Sequence, residues 1–281
     1  MKGIIDVGGG MRGIYAAGIF DYCMEKNINF DLCIGISAGS ANLASFLAGQ
    51  KGRNYKFYTD YSFREEYMSM EQFIKTGSYI NFDYIYDKLS GSDGEDPLDY
   101  DAIMANPAKF IVIASNADTG MPMYFTKDDM QKDKYDIFKA SCCIPGINRP
   151  VIIDKVPYFD GAISDTIPVK KAFSEGCDKV VLILTKPVDM LRKPGKDMAL
   201  AKMIELEYPE AARKFSDRAD RYNLYVKLAK QMEEEGKLLI LSPDDITGVD
   251  TLKRDKEALD RLYRKGLKDA EKIEEFLKGE N

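Results

Sequence analysis

The chain has 281 residues, of which 45% are hydrophobic and 31% charged, and 40 Lys and Arg against 46 Asp and Glu leave a net charge of −6. This composition is typical of a folded protein, and the acidic balance argues against nucleic-acid binding as its main task. The sequence contains no His, which excludes Ser-His-Asp triads, Cys-His pairs and His-ligated metal sites. Acid–base chemistry in this chain would therefore use Asp, Glu, Lys, Tyr or Cys.

The first two thirds of the chain alternate short apolar runs with helical spacing. The predicted strands are residues 3–7, 30–36, 110–114 and 180–184, and helical patterns begin at Met11 and Ala41. Consecutive Ile, Val and Leu in the later strands are expected where helices cover both faces of a sheet. The alternation predicts an α/β fold with a mainly parallel central sheet, whose ligand chemistry lies at the carboxyl ends of the strands.

Composition divides the chain into parts. Residues 51–108 are rich in tyrosine and predict an insertion of short helices and loops between core strands. Beyond Pro187 the chain is charged with helical patterning, and Arg192-Lys193-Pro194-Gly195 has the composition of a linker. We therefore expect an α/β domain over 1–187, which includes the insertion, and a mainly helical extension over 188–281.

The N-terminal segment lacks the basic and apolar regions of a signal peptide, and no run approaches the roughly 18 apolar residues of a membrane span. The five cysteines show no Cys-x-x-Cys spacing, which argues against a disulfide framework or a zinc site. These features lead us to expect a cytoplasmic protein without a metal.

The first motif, Gly8-Gly9-Gly10-Met11-Arg12-Gly13, lies directly between a predicted strand and a predicted helix. It formally matches the Gly-x-Gly-x-x-Gly dinucleotide fingerprint, but the acidic residue at the expected separation, Asp31, begins its strand and so lies at the wrong end of the sheet. The unhindered N–H groups of a glycine run at a helix N-terminus suit a phosphate or the oxyanion of an acyl-transfer transition state. A tight turn without a ligand is the alternative.

The second motif, Gly35-Ile36-Ser37-Ala38-Gly39, lies between the second predicted strand and a helix of small residues. In a nucleophile elbow, the flanking glycines permit a sharp turn that projects the serine hydroxyl above the sheet. A Ser37 that acts only as a helix N-cap is the alternative.

The third motif, Asp160-Gly161-Ala162, follows an apolar stretch at 150–153. Alone it would indicate only a turn. Because the chain has no His, a serine nucleophile needs another base, and an Asp held at this turn could supply it.

In order and character, the three motifs resemble those of the patatin-like phospholipases. That family combines a Gly-Gly-Gly-x-Arg/Lys-Gly oxyanion loop, a Gly-x-Ser-x-Gly elbow some tens of residues later and a downstream Asp-Gly-Ala/Gly motif, and all three are intact here. The stretch Ala140–Pro145 also resembles the small-residue segment that precedes the Asp motif. The resemblance covers about residues 3–186. It implies a three-layer patatin-like fold and a serine hydrolase with a Ser-Asp dyad.

The resemblance also implies a role for each motif residue. Ser37 would be the nucleophile and Asp160 the general base, while the N–H groups of Gly9 and Gly10 would form the oxyanion hole. The supporting positions would be Gly8, Arg12, Gly13, Gly35, Gly39 and Gly161. Arg12 would brace the loop, meet a phosphate or be an ordinary surface arginine, and the sequence leaves these three readings open. No metal or organic cofactor is implied.

The expected activity is hydrolysis of carboxylic esters of lipids, such as phospholipids or lysophospholipids, through a Ser37 acyl-enzyme. Two alternatives stay open: a catalytically silent scaffold with the patatin fold, and a phosphate- or nucleotide-binding module that uses the glycine loop. The expected partner is a lipid ester and not a nucleic acid. The aromatic insertion at 51–108 could also contact a membrane interface transiently.

Overall fold

The computed structural model describes residues 1–279. Its strands are β1 (Lys2–Asp6), β2 (Leu32–Ile36), β3 (Lys109–Asn116), β4 (Pro122–Thr126), β5 (Val151–Ile153), β6 (Val156–Asp160), β7 (Lys179–Ile183) and β8 (Leu238–Leu241). Its α-helices are α1 (Ile14–Glu25), α2 (Ala38–Leu47), α3 (Arg53–Thr59), α4 (Met70–Thr76), α5 (Tyr100–Ala105), α6 (Asp136–Ser141), α7 (Val169–Ser174), α8 (Gly195–Ile204), α9 (Pro209–Ser216), α10 (Arg218–Glu234), α11 (Lys256–Asp269) and α12 (Glu271–Lys278).

The strands form one mixed sheet with β1 near its centre. β2 and β7 flank β1 in parallel, and β3 and β8 continue the parallel pairing on either side. β4 and β6 pair antiparallel with β3, and β5 pairs antiparallel with β6. The predicted α/β class with a mainly parallel sheet is therefore confirmed. Four strands were not predicted. β4 is half-exposed, β5 has only three residues and β6 contains Pro157, so none forms a long buried apolar run. β8 lies in the part that was predicted to be mainly helical.

Helices cover both faces of this sheet. Successive residues of a strand point to opposite faces, so Ile4 packs in one apolar core and Ile5 in the other. The core around Ile4 is closed by α1, α2 and α11, and the core around Ile5 by α7 and α10. This is the expected three-layer arrangement.

The segment after residue 188 packs into the same body as the preceding residues. β8 pairs with β7 within the common sheet. α11 crosses α1 so closely that a Cβ on Gly266 would overlap the Tyr15 carbonyl oxygen. The Tyr15 hydroxyl donates to Asp269 at 2.7 Å and fixes the same contact. The domain boundary near residue 188 stays a prediction. The residues after it add a strand to the sheet and a helix against α1.

Residues 51–108 leave the sheet between α2 and β3. They contain α3, α4 and α5, a 3₁₀ turn at Tyr61–Phe63 and a π-helical segment at Asp83–Leu89. Within residues 1–279, no helix has both the length and the apolar character that crossing a membrane requires.

Candidate active site

The glycine loop and the turn that carries Ser37 meet because they follow parallel neighbours. β1 ends at Asp6, which lies opposite Gly35 of β2. The chain therefore leaves both strands side by side at the same edge of the sheet. A Cβ on Gly8 would overlap the carbonyl oxygen of Ile36, so the two turns are in direct contact.

Asp160 reaches the same place through the register of β3. Ile36 lies opposite Ile113, and Asp160 lies opposite the next residue, Ala114. Since β4 pairs along the other edge of this stretch, β2 and β6 share one edge of β3. Asp160 therefore lies directly beyond the end of β2, beside Ser37.

Ser37 has the strained backbone of a nucleophile elbow. Its φ of 55° and ψ of −135° are uncommon for a residue with a side chain. Its N–H donates to Ser141 Oγ at 2.8 Å, and that hydroxyl donates to the Ile113 carbonyl at 2.7 Å. Among the described residues, the Ser37 side chain makes no capping bond to α2. The turn therefore presents the hydroxyl instead of using it as a helix cap.

Asp160 is a buried carboxylate that lies beside Ser37 in the wall of one cavity. It is 3% exposed, and its Oδ1 accepts a hydrogen bond from the Ala162 N–H at 2.9 Å. Burial raises the pKa of Asp160, while the hydrogen bonds from Ala162 and Ser37 and the positive charges of Arg218 and Arg192 oppose the rise. A carboxylate with a raised pKa accepts a proton more readily than an exposed Asp with a pKa of about 3.9.

The N–H groups of Gly9 and Gly10 have no hydrogen-bond partner among the described residues. The N–H groups on either side are occupied. That of Gly8 donates to Asp6 Oδ1 at 2.9 Å, and that of Met11 donates to the Thr251 carbonyl oxygen at 3.0 Å. Two free donors between two anchored ones, beside a serine hydroxyl, form the arrangement that an oxyanion hole requires.

The shape of this loop requires glycine. Gly9 and Gly10 have φ values of 134° and 60°, in the region that residues with a side chain rarely adopt. A Cβ on Gly9 would overlap Thr185 Oγ1, and one on Gly10 would overlap the carbonyl oxygen of Thr251. A side chain at either position would therefore displace the loop.

A buried polar network behind the loop holds it in place. The Asp6 carboxylate accepts from the Gly8 N–H and, at 3.0 Å, from Asn42 Nδ2. Asn42 also donates to the Gly13 carbonyl and accepts from the Tyr58 hydroxyl. Burial raises the pKa of Asp6 to about 6. Asp6 was not predicted as a site residue, although a single carboxylate at the end of an apolar strand, just before the glycines, was an available signal.

Arg12 braces the loop from within the protein. It is buried, and its Nη1 donates to Asp250 at 2.5 Å and to Thr251 Oγ1 at 3.2 Å. Burial lowers the pKa of Arg12, and the charge of Asp250 opposes the shift. The reading of Arg12 as an ordinary surface arginine is therefore wrong.

The other motif glycines permit close approaches of the chain. A Cβ at each would overlap a neighbouring atom: Gly13 the Tyr58 hydroxyl, Gly35 the Ser40 backbone, Gly39 the Asp6 carbonyl and Gly161 the Ile113 carbonyl. All the predicted site residues therefore lie in one region around Ser37.

Two cavities meet at Ser37. The first, about 100 Å³, is mainly apolar and extends beneath the 51–108 insertion, between side chains that include Phe57, Phe82, Ile85 and Phe138. The second, about 60 Å³, is polar and contains the glycine loop and Asp160. An extended molecule with one apolar and one polar end could therefore cross Ser37.

Four cations line the polar cavity: Arg12, Lys186, Arg192 and Arg218. The last three were not predicted as site residues, and Arg192 was placed in a linker. They lie after β7 and at the start of α10, where no motif marked them in the sequence. No group of three or more Cys, Asp and Glu residues within 1–279 is arranged to hold a metal ion.

Comparisons with known proteins agree with the fold. Uncharacterized protein YjjU of Escherichia coli (strain K12) is 34% identical over 192 residues, which cover 66% of this chain and 52% of that protein. The chain thus spans about half the length of this relative. The crystal structure of VipD from Legionella pneumophila superposes with a TM-score of 0.52 at 14% identity, over 97% of this chain and 66% of VipD.

Two family models match separate parts of the chain. A model described as "Domain of unknown function (DUF6363)" matches residues 208–278. The model described as "Patatin-like phospholipase" matches residues 7–173, more than half of the chain. This match includes all three motifs, and the chain belongs to the patatin-like phospholipase family.

Proposed function

We propose that this protein is a serine hydrolase of lipid carboxylic esters in which Ser37 is the nucleophile and Asp160 the general base. The observation that carries the proposal is the position of Ser37. Its strained turn places Ser37 beside a buried carboxylate, at the junction of an apolar and a polar cavity. Membership of the family supports the lipid ester as substrate.

The reaction begins when Ser37 Oγ attacks the carbonyl carbon of the ester and Asp160 takes the hydroxyl proton. The N–H groups of Gly9 and Gly10 donate to the oxyanion of the tetrahedral intermediate. The ester C–O bond then breaks, and Asp160 gives the proton to the departing alcohol. Water then attacks the acyl carbon of the Ser37 ester and passes a proton to Asp160. The bond between Ser37 Oγ and the acyl carbon breaks, Asp160 returns that proton to Ser37 Oγ, and the fatty acid leaves.

Three features support Asp160 as a base without His. It lies beside Ser37 in the wall of the same cavity, so it can take the hydroxyl proton without a third group. Burial raises its pKa above that of an exposed Asp, which makes it a better base. The charges of Arg218 and Arg192 oppose this rise and favour the carboxylate form. The apolar cavity offers the acyl chain a site beside Ser37.

The test is labelling of the purified protein with a fluorophosphonate, followed by peptide mapping. We expect the label on Ser37, its loss in Ser37→Ala and a strong decrease in Asp160→Asn. Asp165→Asn is the matched control, because Asp165 is also a largely buried Asp whose pKa is raised by burial, but it bonds Tyr124 at 3.0 Å outside the cavity. Its labelling rate should equal that of the wild type.

Two results would contradict the proposal. An undiminished labelling rate in Asp160→Asn would exclude the dyad. A folded wild type that is not labelled even with lipid vesicles present would exclude the hydrolase and favour the silent scaffold.

A further inference from the structure

The polar cavity beside Ser37 carries more positive than negative charge. It is lined by four cations and one carboxylate, which are Arg12, Lys186, Arg192, Arg218 and Asp160. A cavity of this size with such a lining is unusual because like charges repel and each loses hydration. The excess charge therefore indicates an anionic ligand.

Two of the four cations are neutralised within the protein. Arg12 pairs with Asp250 at 2.5 Å. Arg218 forms a two-pronged pair with Asp197, from Nε at 2.9 Å and from Nη2 at 2.5 Å. These two cations have their counter-ions and serve the structure of the cavity wall.

Lys186 and Arg192 have no such partner. Within residues 1–279, no carboxylate lies at ion-pair distance from either side chain. The nearby carboxylates, Asp250 and Asp197, pair with Arg12 and Arg218 instead. The Arg192 guanidinium lies 4.8 Å from the centre of the Tyr222 ring, and its backbone is held by two hydrogen bonds with Asn223. Arg192 is therefore positioned while its N–H donors stay available to a ligand.

The pKa values of Lys186 and Arg192 are both lowered, as expected for buried cations without a counter-ion. Burial, followed by the charges of Arg12 and Arg192, lowers the pKa of Lys186 to about 8. Burial, followed by the charge of Arg218, lowers the pKa of Arg192 to about 10. An anion bound between the two side chains would reverse both shifts, since it favours the charged forms.

Two buried polar atoms in the cavity wall also have no hydrogen-bond partner among the described residues. Thr166 is 2% exposed, and its hydroxyl has no hydrogen-bond partner among the described residues. The Nε of Arg12, equally buried, has none either. Both residues line the cavity. Buried polar atoms are normally paired, so these unpaired atoms accompany the excess positive charge of the cavity wall.

We propose that Lys186 and Arg192 bind the phosphate of a substrate that carries a phosphate monoester next to its scissile acyl ester. This inference rests on the proposed function, because it names the substrate class of the same site. A phosphate monoester has a charge of about −1.5 to −2 near neutral pH and several acceptor oxygens, so it can pair with both Lys186 and Arg192. A zwitterionic head group would add a further cation to this cavity, and a neutral ester would leave Lys186 and Arg192 without a counter-ion.

A binding experiment tests the site without turnover. Glycerol 3-phosphate and inorganic phosphate are titrated calorimetrically into the Ser37→Ala protein. We expect the Kd for glycerol 3-phosphate to rise about tenfold or more when Lys186→Gln or Arg192→Gln is added, since each change removes a charge-assisted hydrogen bond to the phosphate. Lys193→Gln is the matched control, because Lys193 is exposed, adjacent to Arg192 and outside the cavity lining.

A second experiment measures specificity in the active protein. We expect kcat/KM for a 1-acylglycerol 3-phosphate to exceed that for the 1-acylglycerol with the same chain. The ratio should fall about tenfold or more in Lys186→Gln and Arg192→Gln, recover in Lys186→Arg and stay at the wild-type value in Lys193→Gln.

The alternative role of these cations is to tune Asp160. Equal losses on both substrates, with a shifted pH profile, would show that role and overturn the proposal. Inorganic phosphate that binds as tightly as glycerol 3-phosphate, with equal turnover of the two esters, would mean a site for free phosphate and would overturn it as well. Phosphate binding that depends on Lys186, in a protein whose Ser37 is never labelled, would refute the hydrolase while supporting the anion site.

Discussion

Replacing Gly10 by Ala tests whether the backbone N–H groups of the glycine loop stabilise the oxyanion, as proposed. Gly10 has a φ of 60°, and a Cβ there would overlap the carbonyl oxygen of Thr251, which accepts the Met11 N–H. The overlap must push the loop away from its position beside Ser37. Loss of one oxyanion donor raises the barrier by about 2.7–4 kcal/mol, so we expect kcat to fall about 10²–10³-fold.

The same substitution also strains the backbone, and that effect must be separated from the chemistry. A residue with a side chain in the left-handed region costs about 1–2 kcal/mol. Gly49 is the matched control, because its φ is 68° and a Cβ there would meet no atom within 4 Å. Gly49→Ala should lose about this free energy of unfolding and keep the kcat of the wild type.

The assay combines kcat on a soluble short-chain ester with urea unfolding followed by circular dichroism. Gly10→Ala should unfold at least as readily as Gly49→Ala, since it adds the overlap with Thr251 to the same strain. If Gly10→Ala kept its kcat within a factor of about three while losing stability, the loop would not be supplying an oxyanion donor, and the reasoning would be refuted.

Three further outcomes follow from the site. Since burial raises the pKa of Asp160 and its ionised form is the base, kcat/KM should fall as the pH is lowered through that raised pKa; a pH–rate profile that stays flat to about pH 4 would contradict this. Ser141→Ala leaves the Ser37 N–H without its acceptor and should cost about 1–3 kcal/mol in urea unfolding, whereas a loss below about 0.5 kcal/mol would contradict the anchoring role. Asp250→Ala leaves the buried Arg12 guanidinium without a counter-ion, whereas Arg12→Met leaves only a half-exposed carboxylate without one. Thermal unfolding should therefore show the larger loss of stability for Asp250→Ala, on the order of 2 kcal/mol. The reverse order would refute the argument.

Local sequence was enough to locate the groups that would carry the chemistry. The strand at 3–7, the glycines that end it and the helix after it are adjacent in the chain, so apolar patterning and turn residues predict them directly. The turn at Ser37 is predicted in the same way. The glycines on either side of it mark positions where neighbouring backbone comes too close for a Cβ. Because the chain has no His, a serine nucleophile needs another base, and this makes Asp160 a candidate from the sequence alone.

The tertiary structure alone decided what surrounds those groups. Asp160 lies beside Ser37 because β2 and β6 share an edge of β3, a register that no local pattern encodes. Thr251 and Asp250 complete a loop more than two hundred residues away, and Lys186 and Arg192 reach the site because β7 lies beside β1. A site built at the ends of strands depends on their order and register. Those are set by long-range packing of the sheet and helices, which the sequence specifies only through the complete fold.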